Sequence, residues 1–214
     1  HLVKNNLQTI SSLLRLQARR LPPGEGRHAL DESERRVRSI ALVHEILSRD
    51  TRDEVDFNQI LPSLVRLAED MGPEGRVRFG YSGEAGRLHG SVATPLAVVV
   101  TELLQNAAEH AFPHPDQAAL PEPTDGEDRE EGEDPRVDVV LDRQGRELRV
   151  SVRDNGKGLP PGFSVEDTSS LGLSIVRGLV RSQLGGRIEM WNDSGAVVDV
   201  VIPVDPLDGE LPGL

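Results

Sequence analysis

A run of six residues, Leu21-Pro22-Pro23-Gly24-Glu25-Gly26, splits the first 50 residues into two stretches of helical periodicity. Proline removes a backbone donor and fixes φ, and glycine permits a tight reversal, so no helix is expected to run through this segment. Before the break, Val3, Leu7, Ile10 and Leu14 step by four, three and four, the alternation of a heptad seam, and Leu13, Leu16 and Ala18 widen the stripe. After it, Leu30, Val37, Ile40, Ala41, His44 and Leu47 repeat the period over 27–49. Two amphipathic helices joined so tightly become antiparallel neighbours. Each then buries only one face, so the seam is expected to close against a second copy as a four-helix bundle, which predicts a homodimer.

Beyond residue 54 the periodicity mixes helices with strands. Ile60, Leu61, Leu64, Val65 and Leu67 predict a helix ending before Gly72-Pro73, and Val77, Phe79 and Tyr81 alternate as a strand. Pro95 fits the first turn of a helix that carries Leu96, Val99, Val100, Leu103, Leu104, Ala107 and Ala111 on one face. Val137, Val139 and Leu141 alternate, and so do Leu148, Val150 and Val152 across a turn at 143–146, which predicts a hairpin. A last helix through Leu173, Val176, Leu179, Val180 and Leu184 is closed by Gly185-Gly186, and two strands follow. The fold class this predicts is α+β. A helical hairpin occupies 1–54, and an α/β sandwich of about three helices over a five-stranded, mostly antiparallel sheet occupies 55–214.

Charge narrows the function. The chain has 36 Asp and Glu against 24 Lys and Arg, a net charge of −12, which is unsuited to a broad phosphate-binding surface for nucleic acid. Nine of the acids and only one base fall in 113–135, a stretch with five prolines that reads as a disordered acidic insertion. No apolar run reaches the roughly 18 to 20 residues of a membrane span, so no direct membrane contact and no secretory leader are expected. The lack of cysteine suits a reducing, cytoplasmic setting. A chain that opens on His1 rather than methionine is expected to belong to something longer.

Three features carry chemistry. Glu102, Asn106 and His110 fall at i, i+4 and i+8 along one flank of the long helix, where the Asn106 amide oxygen is suited to Mg²⁺; the same stripe also fits an ordinary hydrogen-bond network. Asp154, in Asp154-Asn155-Gly156-Lys157-Gly158, continues the inward parity of Leu148, Val150 and Val152. A carboxylate facing a core needs donors, and a purine amine is one, although a plain Asp-Asn-Gly turn is the alternative. Gly172-Leu173-Ser174 opens the last helix after a small-residue loop, a start suited either to phosphate oxygens or to a simple cap.

Taken in order, Glu102 to Ala111, Asp154 to Gly158 and Leu171 to Ser174 resemble the N, G1 and G2 boxes of the GHKL ATP-binding fold over roughly 55–204. The opening His1-Leu2-Val3-Lys4-Asn5-Asn6-Leu7-Gln8 resembles the phosphoacceptor helix of histidine kinases with a HisKA_2-type dimerisation domain. The resemblance implies ATP-dependent autophosphorylation with Mg²⁺, and then transfer to an aspartate of a response regulator. It makes His1 the nucleophile, and the heptad assignment leaves residue 1 off the seam, facing solvent. Glu102 would orient the metal or its waters, Asn106 would hold Mg²⁺, and His110 would lie near the phosphates. Asp154 would bind the adenine amine, while Gly156, Gly158, Gly172, Leu173 and Ser174 would shape the pocket and its lid. A nucleotide-binding scaffold, or a GHKL serine kinase, remains the alternative.

Overall fold

The computed structural model describes residues 2–47, 54–71, 77–112, 134–166 and 170–205. His1 and positions 113–133 of the acidic insertion lie outside the described residues. Helices α1 (Leu2–Arg20) and α2 (Glu25–Leu47) form the expected antiparallel hairpin. The break is shorter than its composition implies. Glu25 and Gly26 already belong to α2, and the His28 N–H donates to the Gly24 carbonyl at 3.1 Å. An acidic residue in a first turn is favoured by the helix dipole, which offsets the cost of Gly26. On α1, Ile10, Leu13 and Leu16 remain 44–55% exposed in the single chain.

Helix α2 has two buried faces. Alongside the seam to α1 it buries Arg36, Ser39, Val43 and Leu47, spaced by three, four and four, against helices of the second unit. That unit begins with β1 (Glu54–Asp56), followed by α3 (Phe57–Met71), β2 (Arg78–Glu84), β3 (Arg87–His89) and α4 (Gly90–His110). Strands β1 and β3 pair antiparallel and bury Val55 and Leu88. The Asn58 side-chain oxygen accepts from the Ala85 and Gly86 N–H groups at 2.8 and 3.3 Å, tying the start of α3 to the connection between β2 and β3. Three-residue strands hold too little alternation to be read from sequence.

Helix α4 begins earlier than Pro95 suggests. His89 is its N-cap, accepting from the Ser91 N–H, so Pro95 lies inside the helix rather than in its first turn. The proline gives up the one intrahelical bond its nitrogen would have donated, and twelve buried residues of α4 outweigh that loss.

The chain continues through β4 (Arg136–Gln144), β5 (Glu147–Asp154), α5 (Leu171–Ser182), β6 (Arg187–Asn192) and β7 (Ala196–Pro203). The five-stranded sheet has the order β2-β4-β5-β7-β6 and is antiparallel except for β2 beside β4. Strands β4 and β5 are joined by the two-residue turn Gly145-Arg146, with Gly145 at φ +56°. Register places Val139 opposite Val152 and Val150 opposite Val200, all buried and facing the helices. Phe57, Leu64, Leu96, Leu104 and Val176, each fully buried, fill the core between the layers.

One ion pair in the hairpin is pH-sensitive. The Glu34 carboxylate accepts from the Ser11 hydroxyl and the Arg15 guanidinium, both at 2.6 Å. Burial works to raise its pKa, but these donors outweigh that and hold it below the ordinary glutamate value. A lowered acid stabilises the fold above its unfolded-state pKa, and the contribution is lost as pH falls through the folded value. Glu34→Gln is therefore expected to cost up to about 1 kcal/mol at pH 7. The difference from wild type should shrink steadily as pH falls below the ordinary glutamate value, as read by urea unfolding at pH 7 and at successively lower pH.

Candidate functional site

A cleft of about 320 Å³ opens between α4, the inner face of the sheet and the loop that follows β5. Its apolar lining includes Leu103, Val152, Met190 and Val198, and its polar groups include Asn106 and Asp154. His110 and Lys157 also border it. A largely apolar cleft with few convergent polar groups is suited to a flat, partly polar ligand.

Asp154 ends β5 with its side chain on the helix side, following the parity of Val150 and Val152. Its Oδ1 accepts from the Gly156 N–H at 2.9 Å and from the Ala196 N–H at 3.1 Å. These two bonds fix the carboxylate while leaving Oδ2 with no hydrogen bond to the described residues. The bond from Asp154 to the Gly156 N–H is the local turn contact, whereas Asn155 reaches across to β4 and accepts from the Arg136 N–H at 2.8 Å. Gly156 lies against the end of α4, where an added Cβ would stand 2.3 Å from the Ala111 carbonyl oxygen. The Lys157 N–H donates to that same oxygen at 2.9 Å. Gly158 has φ +73°, and a Cβ there would stand 2.7 Å from Asn192 Oδ1. Asn192 in turn accepts from the Leu159 N–H at 2.7 Å and donates to the Leu159 carbonyl at 3.1 Å.

The polar flank of α4 divides by depth. Glu102 is 1% exposed, Asn106 is partly buried and His110 is exposed. Burial drives the Glu102 carboxyl above its ordinary pKa; Arg36 opposes that shift, and Glu109 and Glu32 add to it. At the start of α5, Ser170 caps the helix by accepting from the Leu173 N–H at 3.4 Å, as the simpler reading of that motif expects. Leu173 borders the cleft, whereas Ser174 is exposed and does not line it. Gly172 is buried above α4. A Cβ on it would stand 3.0 Å from Glu102 Oε2, 3.1 Å from Asn106 Oδ1 and 3.0 Å from Arg36 Nη2.

Two residues at the site were not foreseen. Asn192 clamps the loop, and a lone Asn at a strand end carries no sequence signal. Arg36 reaches Glu102 from the hairpin, its Nε 3.3 Å from Oε2. No sequence signal marked it, since its helical neighbours Glu32, Ser33 and Ser39 are polar as well.

Comparison with known proteins agrees with this geometry. Residues 91–206 match the family described as histidine kinase-, DNA gyrase B-, and HSP90-like ATPase, and the chain belongs to that family. Residues 1–71 match the HisKA_2 histidine kinase family. The sensor histidine kinase PdtaS of Mycobacterium tuberculosis is 44% identical over 205 residues, which cover 95% of this chain and 38% of that protein. The chain thus spans well under half the length of this relative. Among solved structures, the blue-light activated histidine kinase of Erythrobacter litoralis shares the fold at a TM-score of 0.65 and 23% identity, covering 95% of this chain and 60% of that one. Histidine kinase ThkA, solved in complex with response regulator protein TrrA, aligns at a TM-score of 0.55 and 22% identity, covering 95% and 59%. The expected family and fold class are those found.

Gly158→Ala should destabilise the chain by about 1–3 kcal/mol, because it forces a side chain into a left-handed conformation. It should also speed hydrogen exchange at the Leu159 amide, as the Asn192 clamp is pushed away.

Proposed function

We propose that this chain is the catalytic core of a sensor histidine kinase. It would phosphorylate its own His1 from ATP and pass the phosphoryl group to an aspartate of a response regulator. The observation that carries this reading is the cleft itself, where Asp154 and Asn106 face one apolar slot built on the end of β5 and the flank of α4. In this reading the hairpin, 1–54, is the dimerisation and phosphotransfer unit, and 55–214 is the catalytic unit. The exposed Ile10, Leu13 and Leu16 supply apolar surface for a second copy. The regulator partner is inferred from likeness to ThkA, which was solved with one. A core that consumes ATP belongs in the cytoplasm.

Asp154 accepts a hydrogen bond from the adenine amine through Oδ2, its other oxygen being held by two backbone N–H groups. Asn106 presents an amide oxygen to Mg²⁺. Among the described residues no group of three or more His, Cys, Asp or Glu is gathered as a metal cage. Mg²⁺ typically keeps waters and draws its charge from substrate phosphates, so Asn106 would be the protein's contribution to holding it. Bound there, Mg²⁺ would neutralise charge on the phosphates. The buried, unpartnered Nδ2 of Asn106 and Oε1 of Glu102 fit such a hydrated ion and its phosphates, Nδ2 as a donor and Oε1 as an acceptor. His110 and Lys157 add donors at the border of the cleft, while Gly158 and Leu173 shape its loop and lid. The neutral His1 imidazole attacks the γ-phosphorus. A P–N bond forms, the P–O bond to the β-phosphate breaks, and ADP leaves.

The test is incubation of the full-length protein with γ-labelled ATP and Mg²⁺, beside His1→Gln. Acid-labile, alkali-stable label that is absent from the variant is the expected result. Binding without any label would make the chain a nucleotide-binding scaffold, and acid-stable label would point to serine or threonine. In a titration with ATP, Asp154→Asn should bind at least about tenfold more weakly, since with its one oxygen held by the Gly156 and Ala196 N–H groups it turns an NH₂ donor toward the adenine amine. Its melting temperature should change little, because an amide oxygen still accepts the Gly156 and Ala196 N–H groups.

A further inference from the structure

The cluster beneath Gly172 holds more polar capacity than the protein itself uses. Arg36 is 6% exposed, with Nε on Glu102 and Nη2 on Glu32 at 2.6 Å. Its third nitrogen, Nη1, is buried without a hydrogen bond, and so are Glu102 Oε1 and Asn106 Nδ2, while Glu102 Oε2 has only the ion pair with Arg36 Nε. These atoms come from both units of the chain and line one cavity of about 10 Å³, roughly the room of one water. Arg35, paired with Glu109 at 3.2 Å, holds the hairpin against α4 beside them.

The mixture of unused groups identifies what would satisfy them. A bare anion is repelled by Glu102, and a bare cation is repelled by Arg36. A single phosphate oxygen of a metal-bound nucleotide, reaching in from the cleft at Asn106, has the size of that space, accepts from Arg36 Nη1 and Asn106 Nδ2, and carries a cation to offset Glu102. Position supports the same ligand. Asp154 lines only the cleft, Asn106 lines both the cleft and the small cavity, and Arg36 lines only the cavity. A nucleotide with its base on Asp154 and its metal at Asn106 therefore directs its last phosphate toward Arg36. Gly172 packs its backbone directly on this cluster, where an added Cβ would stand about 3.0 Å from both Arg36 Nη2 and Glu102 Oε2.

We propose that Arg36 is a further residue of the nucleotide site, supplied by the hairpin, that recognises the terminal phosphate and so favours ATP over ADP. This rests on the nucleotide reading of the cleft.

The experiment is calorimetric titration of the full-length protein with MgATP and with MgADP, in wild type, Arg36→Met, Arg36→Lys and Asp154→Asn. Arg36→Met is expected to cut the preference for ATP over ADP by about tenfold, the worth of one charge-assisted hydrogen bond, with ADP affinity within about twofold of wild type. Arg36→Lys keeps the charge without the fork and should lose less of the preference. Asp154→Asn should weaken both nucleotides alike. An unchanged ATP-to-ADP ratio in Arg36→Met would overturn the proposal and leave Arg36 as an ion pair between the hairpin and α4, with a water in the cavity. If Arg36→Met also loses ADP binding through unfolding, Arg36→Gln, which keeps a polar side chain without the charge, decides, and an unchanged ratio there overturns the proposal equally. Failure of wild type to bind either nucleotide would instead remove the nucleotide reading itself, and this proposal with it.

Discussion

A helix buried on most of its surface can carry polar side chains only where something partners them, and α4 buries twelve of its residues while carrying Glu102 and Asn106 on one flank. That constraint organises the molecule. The apolar faces of α4 take up the sheet, α3 and α5, so the polar flank is left to meet the Gly172 turn, the loop after β5 and the hairpin. The cleft opens along this flank because that is where apolar packing stops. Glycine is required at Gly156 for the same reason, since its backbone presses on the Ala111 carbonyl more closely than any side chain allows, and at Gly172 a Cβ would be tight against Arg36, Glu102 and Asn106.

The same flank joins the two units. The second buried face of α2 carries Val43 and Leu47 against apolar neighbours and Ser39 against Gln105, but opposite Glu102 it carries Arg36. A buried pair of this kind is weak evidence for stability, since desolvation of both charges offsets their attraction. Its interest lies in geometry. It joins the hairpin to the part of α4 on which the proposed nucleotide chemistry depends, with orphaned donors and acceptors left over. The burial that raises the Glu102 pKa is also what makes the Arg36 charge consequential there.

Much of the fold could be read from local pattern. The Pro-Pro-Gly break, the heptad spacing of Val3, Leu7, Ile10 and Leu14, and the parity of Val137 to Leu141 against Leu148 to Val152 each follow from a helix period near 3.6 or a strand period of 2. Asp154 was legible because parity places it on the inner face, and Glu102 and Asn106 because spacing by four aligns them. The early start of α4 was not, since a His89 cap is an uncommon signal and Pro95 is a strong misleading one. Strands β1 and β3 were too short to show a period.

Sequence alone determined which residues share a face, where the hairpin turns, and that carboxylate, amide and glycine-rich segments occur in the order of an ATP-binding family. Those properties depend on neighbours within a few positions, and backbone periodicity converts them directly into geometry. Only the tertiary structure decided that Asn192 would clamp Leu159, that Ser174 would lie outside the cleft, and that Arg36 would meet Glu102 across 66 positions of chain. Such contacts depend on how separately specified elements pack. A single arginine on a helix flank carries no local mark of the partner that packing will bring to it.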